Sequence, residues 1–278
     1  MQTFPKLDTP NRISSLFYPR RSEVTPLPEG AIDLEIETEP GVSIGCRLYI
    51  HDISSPNIIF FHGNGEIVAD YDDIGPLYNH VGINLLVMDY RGYGWSTGSP
   101  GVASMLSDAE VLFGEVQKWL SHHAYTGALF IMGRSLGSIS AIDLATKHGD
   151  DVKGLLIESG IADTVPLAKS LGLDIGGIDF TEEDGFQNIE KIGKVTIPTF
   201  ILHGAKDEII PAHEAEKLQS YSGARTKEFV VIPGATHNTM ILTGGKLYFQ
   251  TIKTFIDKVT GATNWRRHRK TTRTNSEE

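Results

Sequence analysis

Two hydrophobic rhythms divide this chain. Over residues 31–50 the segments AIDLEIETE and VSIGCRLYI alternate apolar and polar positions around the turn EPG, the period-two pattern of a half-exposed antiparallel strand pair at a sheet edge. Beyond it the rhythm changes. NIIFFH, INLLVMD, GALFIMG, VKGLLIE and TIPTFILHG are short, nearly continuous apolar runs, as expected of strands buried on both faces. Between them, Leu106, Ala109, Leu112, Phe113, Val116 and Leu120 recur at helical spacing over 103–120, and a second helix is predicted over 136–148. The run TKEFVVIP and a helical stretch over 247–259 complete the alternation. Strand and helix in turn predict a mostly parallel sheet covered by helices on both faces, with right-handed crossovers and ligands at the carboxyl ends of the strands. Residues 160–194, rich in glycine and acidic side chains with weak periodicity, are expected to form a small insertion over the sheet, a candidate lid.

The remaining organisation is simple. Repeats, low-complexity tracts and domain-separating linkers are absent, so one domain over 31–262 is expected, preceded by an N-terminal extension (1–30) and followed by a tail (263–278). The 278 residues, 40% hydrophobic and 22% charged, suffice for a sizeable core. A single cysteine, Cys46, allows no internal disulfide, and no Cys/His cluster has zinc-site spacing. With neither a secretory signal pattern nor a run approaching the roughly 20 apolar residues of a membrane span, a soluble, cytoplasmic protein is expected. The net charge of -10 argues against nucleic acid as a partner. The tail WRRHRKTTRTNSEE alone is basic; it is expected to be solvated, with weak contact to an anionic surface as its alternative role.

Candidate chemistry concentrates where apolar runs end. GALFIMG stops at Gly133, Arg134, Ser135, Leu136 and Gly137, and a helix is predicted to begin there. This is G-x-S-x-G between strand and helix: the tight turn lifts the serine above the sheet edge, and glycines two residues either side avoid collisions with neighbouring elements. The helix that follows turns its N-terminal amides toward a developing oxyanion. A serine hydroxyl needs a base and a group to orient that base. FILHGAKDEIIP places Asp207 after one strand and VVIPGATHN places His237 after the next, in the order Ser, Asp, His. Glu158 and Asp163 are the reserve acids. For the oxyanion, NIIFFHGNGE supplies a loop whose Asn64 amide, with Gly65 as the alternative, complements the Leu136 amide. His62, at a strand end, is expected to brace that loop, and Asp89 and Arg91 to build the loop DYRGYG. For Arg134 two roles stand open: pairing with an acidic group, or receiving an anionic substrate.

Taken in order, HGNGE, DYRGYGWSTG, GRSLGS, HGAKDEIIP and GATHN resemble the serine hydrolases of the α/β-hydrolase fold over approximately 31–261. The pattern is similar to the compact, small-lid subgroup that includes uncharacterised bacterial esterases and eukaryotic protein depalmitoylases. By that resemblance Ser135, Asp207 and His237 match the triad positions and Asn64 and Leu136 the oxyanion positions. The short 160–194 insertion departs from lipases with large helical lids. The expected reaction is hydrolysis of a carboxylic ester or thioester, on a small-molecule or acylated substrate, through an acyl-serine, without metal or organic cofactor. Peptidase and acyltransferase chemistry use the same triad and stay open, as does a non-catalytic binding role; a haloalkane-type reaction is disfavoured because it wants a carboxylate where Ser135 stands.

Overall fold

The computed structural model describes residues 3–175 and 177–262; the basic tail lies outside them. Eight strands form one sheet: β1 (Ala31–Glu39), β2 (Val42–Tyr49), β3 (Asn57–Phe61), β4 (Asn84–Met88), β5 (Leu129–Arg134), β6 (Gly154–Glu158), β7 (Thr199–Gly204) and β8 (Lys227–Ile232). Their spatial order is β1-β2-β4-β3-β5-β6-β7-β8. The β1–β2 and β2–β4 pairs are antiparallel and all the others parallel. This is the α/β-hydrolase fold. Among the described residues there are nine α-helices, between and flanking the strands: α1 (Pro10–Leu16), α2 (Gly75–His80), α3 (Val102–His122), α4 (Gly137–Lys147), α5 (Thr164–Ser170), α6 (Asn188–Lys194), α7 (Ala212–Tyr221), α8 (Met240–Gly244) and α9 (Lys246–Thr260).

The two apolar rhythms have the burial they imply. Edge strand β1 alternates between half-buried and exposed positions, whereas β3, β4, β6 and β7 are buried at every residue. Side chains alternate between faces along a strand. Ile59, Phe61, Ile131, Leu155, Ile157 and Ile201 accordingly join the core under α3 and α4, while Ile58, Phe60, Phe130, Met132, Leu156 and Phe200 join the core under α9. The long helix α3 buries Leu106, Ala109, Leu112, Phe113, Val116 and Leu120, the positions of the predicted stripe.

Register delivers the site. Phe61 lies beside Gly133, Gly133 beside Ile157, Arg134 beside Glu158, and Glu158 beside Leu202, so the central strands end level with one another. The loops that follow all rise at one edge.

Two segments are more structured than their sequence suggests. Phe4, Leu7, Leu16 and Phe17 are buried in the same core as α3 and α4, and the Asp8 carboxylate accepts from the Val102 and Ala103 amides at the start of α3 (2.6 and 3.0 Å). These are two of the four amides a helix N-terminus leaves without an internal partner. Within 160–194, Leu167 of α5 and Leu171 just after it line a cavity at the catalytic edge. The seven-residue α6, with Ile192 fully buried, packs on α4 and α7 as the crossover between β6 and β7.

Candidate active site

The turn after β5 is shaped by two close approaches. A Cβ on Gly133 would stand 2.3 Å from the Gly137 carbonyl oxygen, and one on Gly137 would stand 2.0 Å from the Phe61 carbonyl oxygen. Both distances are impossible for real atoms, so glycine is required at each. Ser135 between them adopts φ = 50°, in the left-handed region that costs an L-residue roughly 1–2 kcal/mol. Its amide donates to the Glu158 carbonyl (2.9 Å), and its own carbonyl accepts from the Ser138 amide (3.0 Å) and hydroxyl (2.6 Å). These bonds hold the strained conformer, and α4 starts two residues after the serine.

Around that turn three distant residues converge. The His237 Nε2 lies 3.0 Å from Ser135 Oγ, and its Nδ1 lies 2.8 and 3.0 Å from the two oxygens of Asp207. Asp207 Oδ1 also accepts from the Ile209 and Ile210 amides (3.1 and 2.8 Å). Burial alone would raise the Asp207 carboxyl. The hydrogen bond and charge of His237, joined by the Ile210 amide, outweigh it and hold the group below its ordinary value, as an anion facing the ring. Beneath it the buried His203 donates through Nε2 to the Ile210 carbonyl (2.9 Å), and burial depresses its basicity despite the nearby Asp207 charge.

The HGNGE loop closes the other side. Asn64 lines the same cavity as Ser135, Leu136 and His237. Its side chain is occupied elsewhere: Nδ2 donates to the Leu16 carbonyl (2.8 Å), while Oδ1 accepts from the Tyr18 amide (2.9 Å) and the Tyr93 hydroxyl (2.7 Å). Among the described residues neither the Asn64 nor the Leu136 amide donates to a protein acceptor. His62 is buried, with Nε2 3.1 Å from Asp89 Oδ1, which also accepts from the Val68 amide (2.9 Å). Arg91 pairs with Asp108 and Glu39. His62, Asp89 and Arg91 thus brace loops.

Arg134 is the residue whose role the sequence left open. Its guanidinium pairs with Glu66 through Nη1 and with Glu158 through Nε (3.2 Å), and Nη2 donates to the His237 carbonyl (2.7 Å) and to Asn238 Oδ1 (3.3 Å). Every nitrogen is engaged, so this cation neutralises its own two carboxylates and anchors the loop carrying His237. Burial raises the Glu158 carboxyl even against Arg134, and the Tyr248 hydroxyl donates to it (2.5 Å). Burial would raise Glu66 too, but Arg134, with smaller contributions from His62, Tyr71 and the Gly63 amide, keeps it below its ordinary value. Of the reserve acids, Glu158 is committed to this network and Asp163 to Lys217.

The cavity over Ser135, about 200 Å³, draws much of its apolar wall from outside the motifs. Leu16 and Tyr18 come from the N-terminal segment, Ile161, Leu167 and Leu171 from the region around α5, and Ile209 and Ile210 from the loop after Asp207. Only the last pair carried a usable signal, as the apolar dipeptide directly after the candidate acid. Glu66 was likewise legible in hindsight, as a carboxylate that follows the candidate oxyanion glycines.

Residues 54–170 and 185–241 match the family described as serine aminopeptidase, S33. Protein bem46 of Schizosaccharomyces pombe is 30% identical over 233 residues, 80% of this chain and 75% of that protein. The α/β-hydrolase domain-containing protein 17B of Homo sapiens is 28% identical over 236 residues, 80% of this chain and 73% of that one. Among solved structures the Pyrococcus furiosus esterase Pf2001 superposes with a TM-score of 0.70 at 17% identity, covering 86% of this chain and 98% of its own, a likeness of fold.

Proposed function

The chain belongs to the serine aminopeptidase S33 family, with the α/β-hydrolase fold, and on that premise we propose that it cleaves carboxylic esters or thioesters through an acyl-serine intermediate. The observation that carries this reading is the 3.0 Å approach of His237 Nε2 to Ser135 Oγ, with Asp207 on the opposite ring nitrogen. Ser135 Oγ attacks the carbonyl carbon as His237 Nε2 takes its proton. The oxyanion rests on the Leu136 and Asn64 amides; Asn64 is preferred to Gly65 because Asn64 lines the cavity over Ser135. His237 then protonates the departing alcohol or thiol. Water, deprotonated by His237, attacks the acyl-enzyme and releases the acid and Ser135. Asp207, an anion held by two backbone amides, fixes the ring and balances its transient charge.

The family description suggests a second substrate class, peptides with a free amino terminus. Such an enzyme needs an anionic group to receive the α-ammonium. Among the described residues, those lining the cavity over Ser135 include no carboxylate, and the single charged one, Arg134, is a cation neutralised from below. An apolar acyl group fits this lining better. The decisive comparison is turnover of butanoyl esters and butanoyl thioesters against amino-acid anilides by wild type and Ser135→Ala. Ester or thioester turnover that disappears in Ser135→Ala is expected, while anilide turnover exceeding both would overturn the substrate assignment.

A further inference from the structure

The cavity over Ser135 does not end at solvent in every direction. Ile161, Leu167, Ile209 and Ile210 line it and also line a second cavity of about 190 Å³, which contains none of Ser135, Asp207 or His237. The four side chains therefore form a partition between two chambers. Three of them are set by the catalytic framework itself. The Ile161 amide donates to Ser138 Oγ (3.1 Å), a hydroxyl bonded to the Ser135 carbonyl, and the Ile209 and Ile210 amides donate to Asp207 Oδ1. Only Leu167 arrives independently, on α5. The partition is thus tied to the nucleophile turn on one side and to the acid loop on the other.

Resting on the acyl-serine reading, we infer that this partition sets acyl-chain length, and that the preferred substrate carries an uncharged aliphatic acyl group of eight carbons or fewer. The size follows from volume. A cavity of about 150 Å³ accommodates benzene, so the reacting chamber of about 200 Å³ holds roughly eight carbons. The absence of charge follows from Arg134, whose nitrogens are all engaged, leaving nothing in the lining to compensate an acyl carboxylate. A longer chain has to displace the partition before it can enter the second cavity, whose far side is formed by Pro166, Pro211, His213 and Glu214.

The test is a series of p-nitrophenyl esters from acetyl to hexadecanoyl, kept below their micellar concentrations, with wild type, Leu167→Ala and Ile209→Ala. Ile209 is 40% exposed, so its truncation spares the fold even if that of buried Leu167 does not. The wild type should peak between butanoyl and octanoyl and lose about tenfold or more in kcat/KM by dodecanoyl. Each variant should raise its own dodecanoyl-to-octanoyl ratio by about tenfold. That ratio is indifferent to a general loss of folding or serine reactivity. A wild-type profile flat to hexadecanoyl, or variants that leave the ratio unmoved, would overturn the partition. Fluorophosphonate labelling run alongside separates the failures: a labelled serine with a flat profile overturns chain-length control alone, whereas an unlabelled protein without turnover overturns both readings.

Discussion

The nucleophile turn and the walls above it are built on opposite principles. At Gly133–Gly137 backbone meets backbone, with approaches that exclude even a methyl group and a serine held at positive φ by three hydrogen bonds. The walls are side chains contributed by three separate segments, including the N-terminal one, which is stapled to the HGNGE loop through Asn64. The first region is specified by sterics that tolerate few sequences. The second is specified by shape and hydrophobicity, which many sequences satisfy. The proposed function puts chemistry in the first region and substrate choice in the second.

Arg134 offers the hardest blow to the rigid side. Arg134→Met leaves the buried Glu158 and the half-buried Glu66 without their counter-charge and should cost about 3–5 kcal/mol in denaturant unfolding near neutral pH. The sign of the pH dependence follows from Glu66, whose folded value is held below the ordinary 4.5. Its stabilisation is complete above that value and is lost as pH falls through the depressed one. Glu158, raised by burial, has the opposite sign: its ionisation opposes folding, and without Arg134 that penalty grows. Acid should therefore narrow the gap between variant and wild type. A gap that stays constant from pH 7 to pH 3 would contradict the ion-pair account.

Glycine substitutions sharpen the contrast between regions. Gly137→Ala drives a Cβ into the Phe61 carbonyl and should cost about 3 kcal/mol, the upper end of ordinary overpacking. Gly177→Ala, after α5 with nothing within 4 Å of the added carbon, should stay within about 0.5 kcal/mol of wild type. Comparable losses in the two melts would erase the distinction.

The N-terminal segment supplies the smallest of the expected losses, the Gly177→Ala control aside. Asp8→Ala removes the acceptor for two amides at the start of α3 and should lower stability by about 1 kcal/mol. An unchanged melting profile would mean that the segment does not contribute to the body through this contact.

The same division governs what the sequence reveals. The strands were legible because parallel strands covered on both faces become continuous apolar runs, and α3 because its 21 residues repeat the stripe many times. The candidate site was legible where function forces a residue type into a strand-end loop, as at Ser135, Asp207 and His237. The seven-residue helices α5 and α6 are too short for periodicity to rise above noise, and Phe4, Leu7, Leu16 and Phe17 follow no repeat. Their burial is decided by partners distant in sequence. Arg134 stayed open for that reason too: its partners Glu66 and Glu158 lie 68 and 24 residues away.

The central claim, an activated serine at the β5–α4 turn, is tested most directly by intact-protein mass spectrometry after exposure to a fluorophosphonate probe. The account predicts one adduct per wild-type molecule, none on Ser135→Ala, and much slower labelling of His237→Ala. Folded wild type that takes up no adduct, or an adduct that persists in Ser135→Ala, would contradict it.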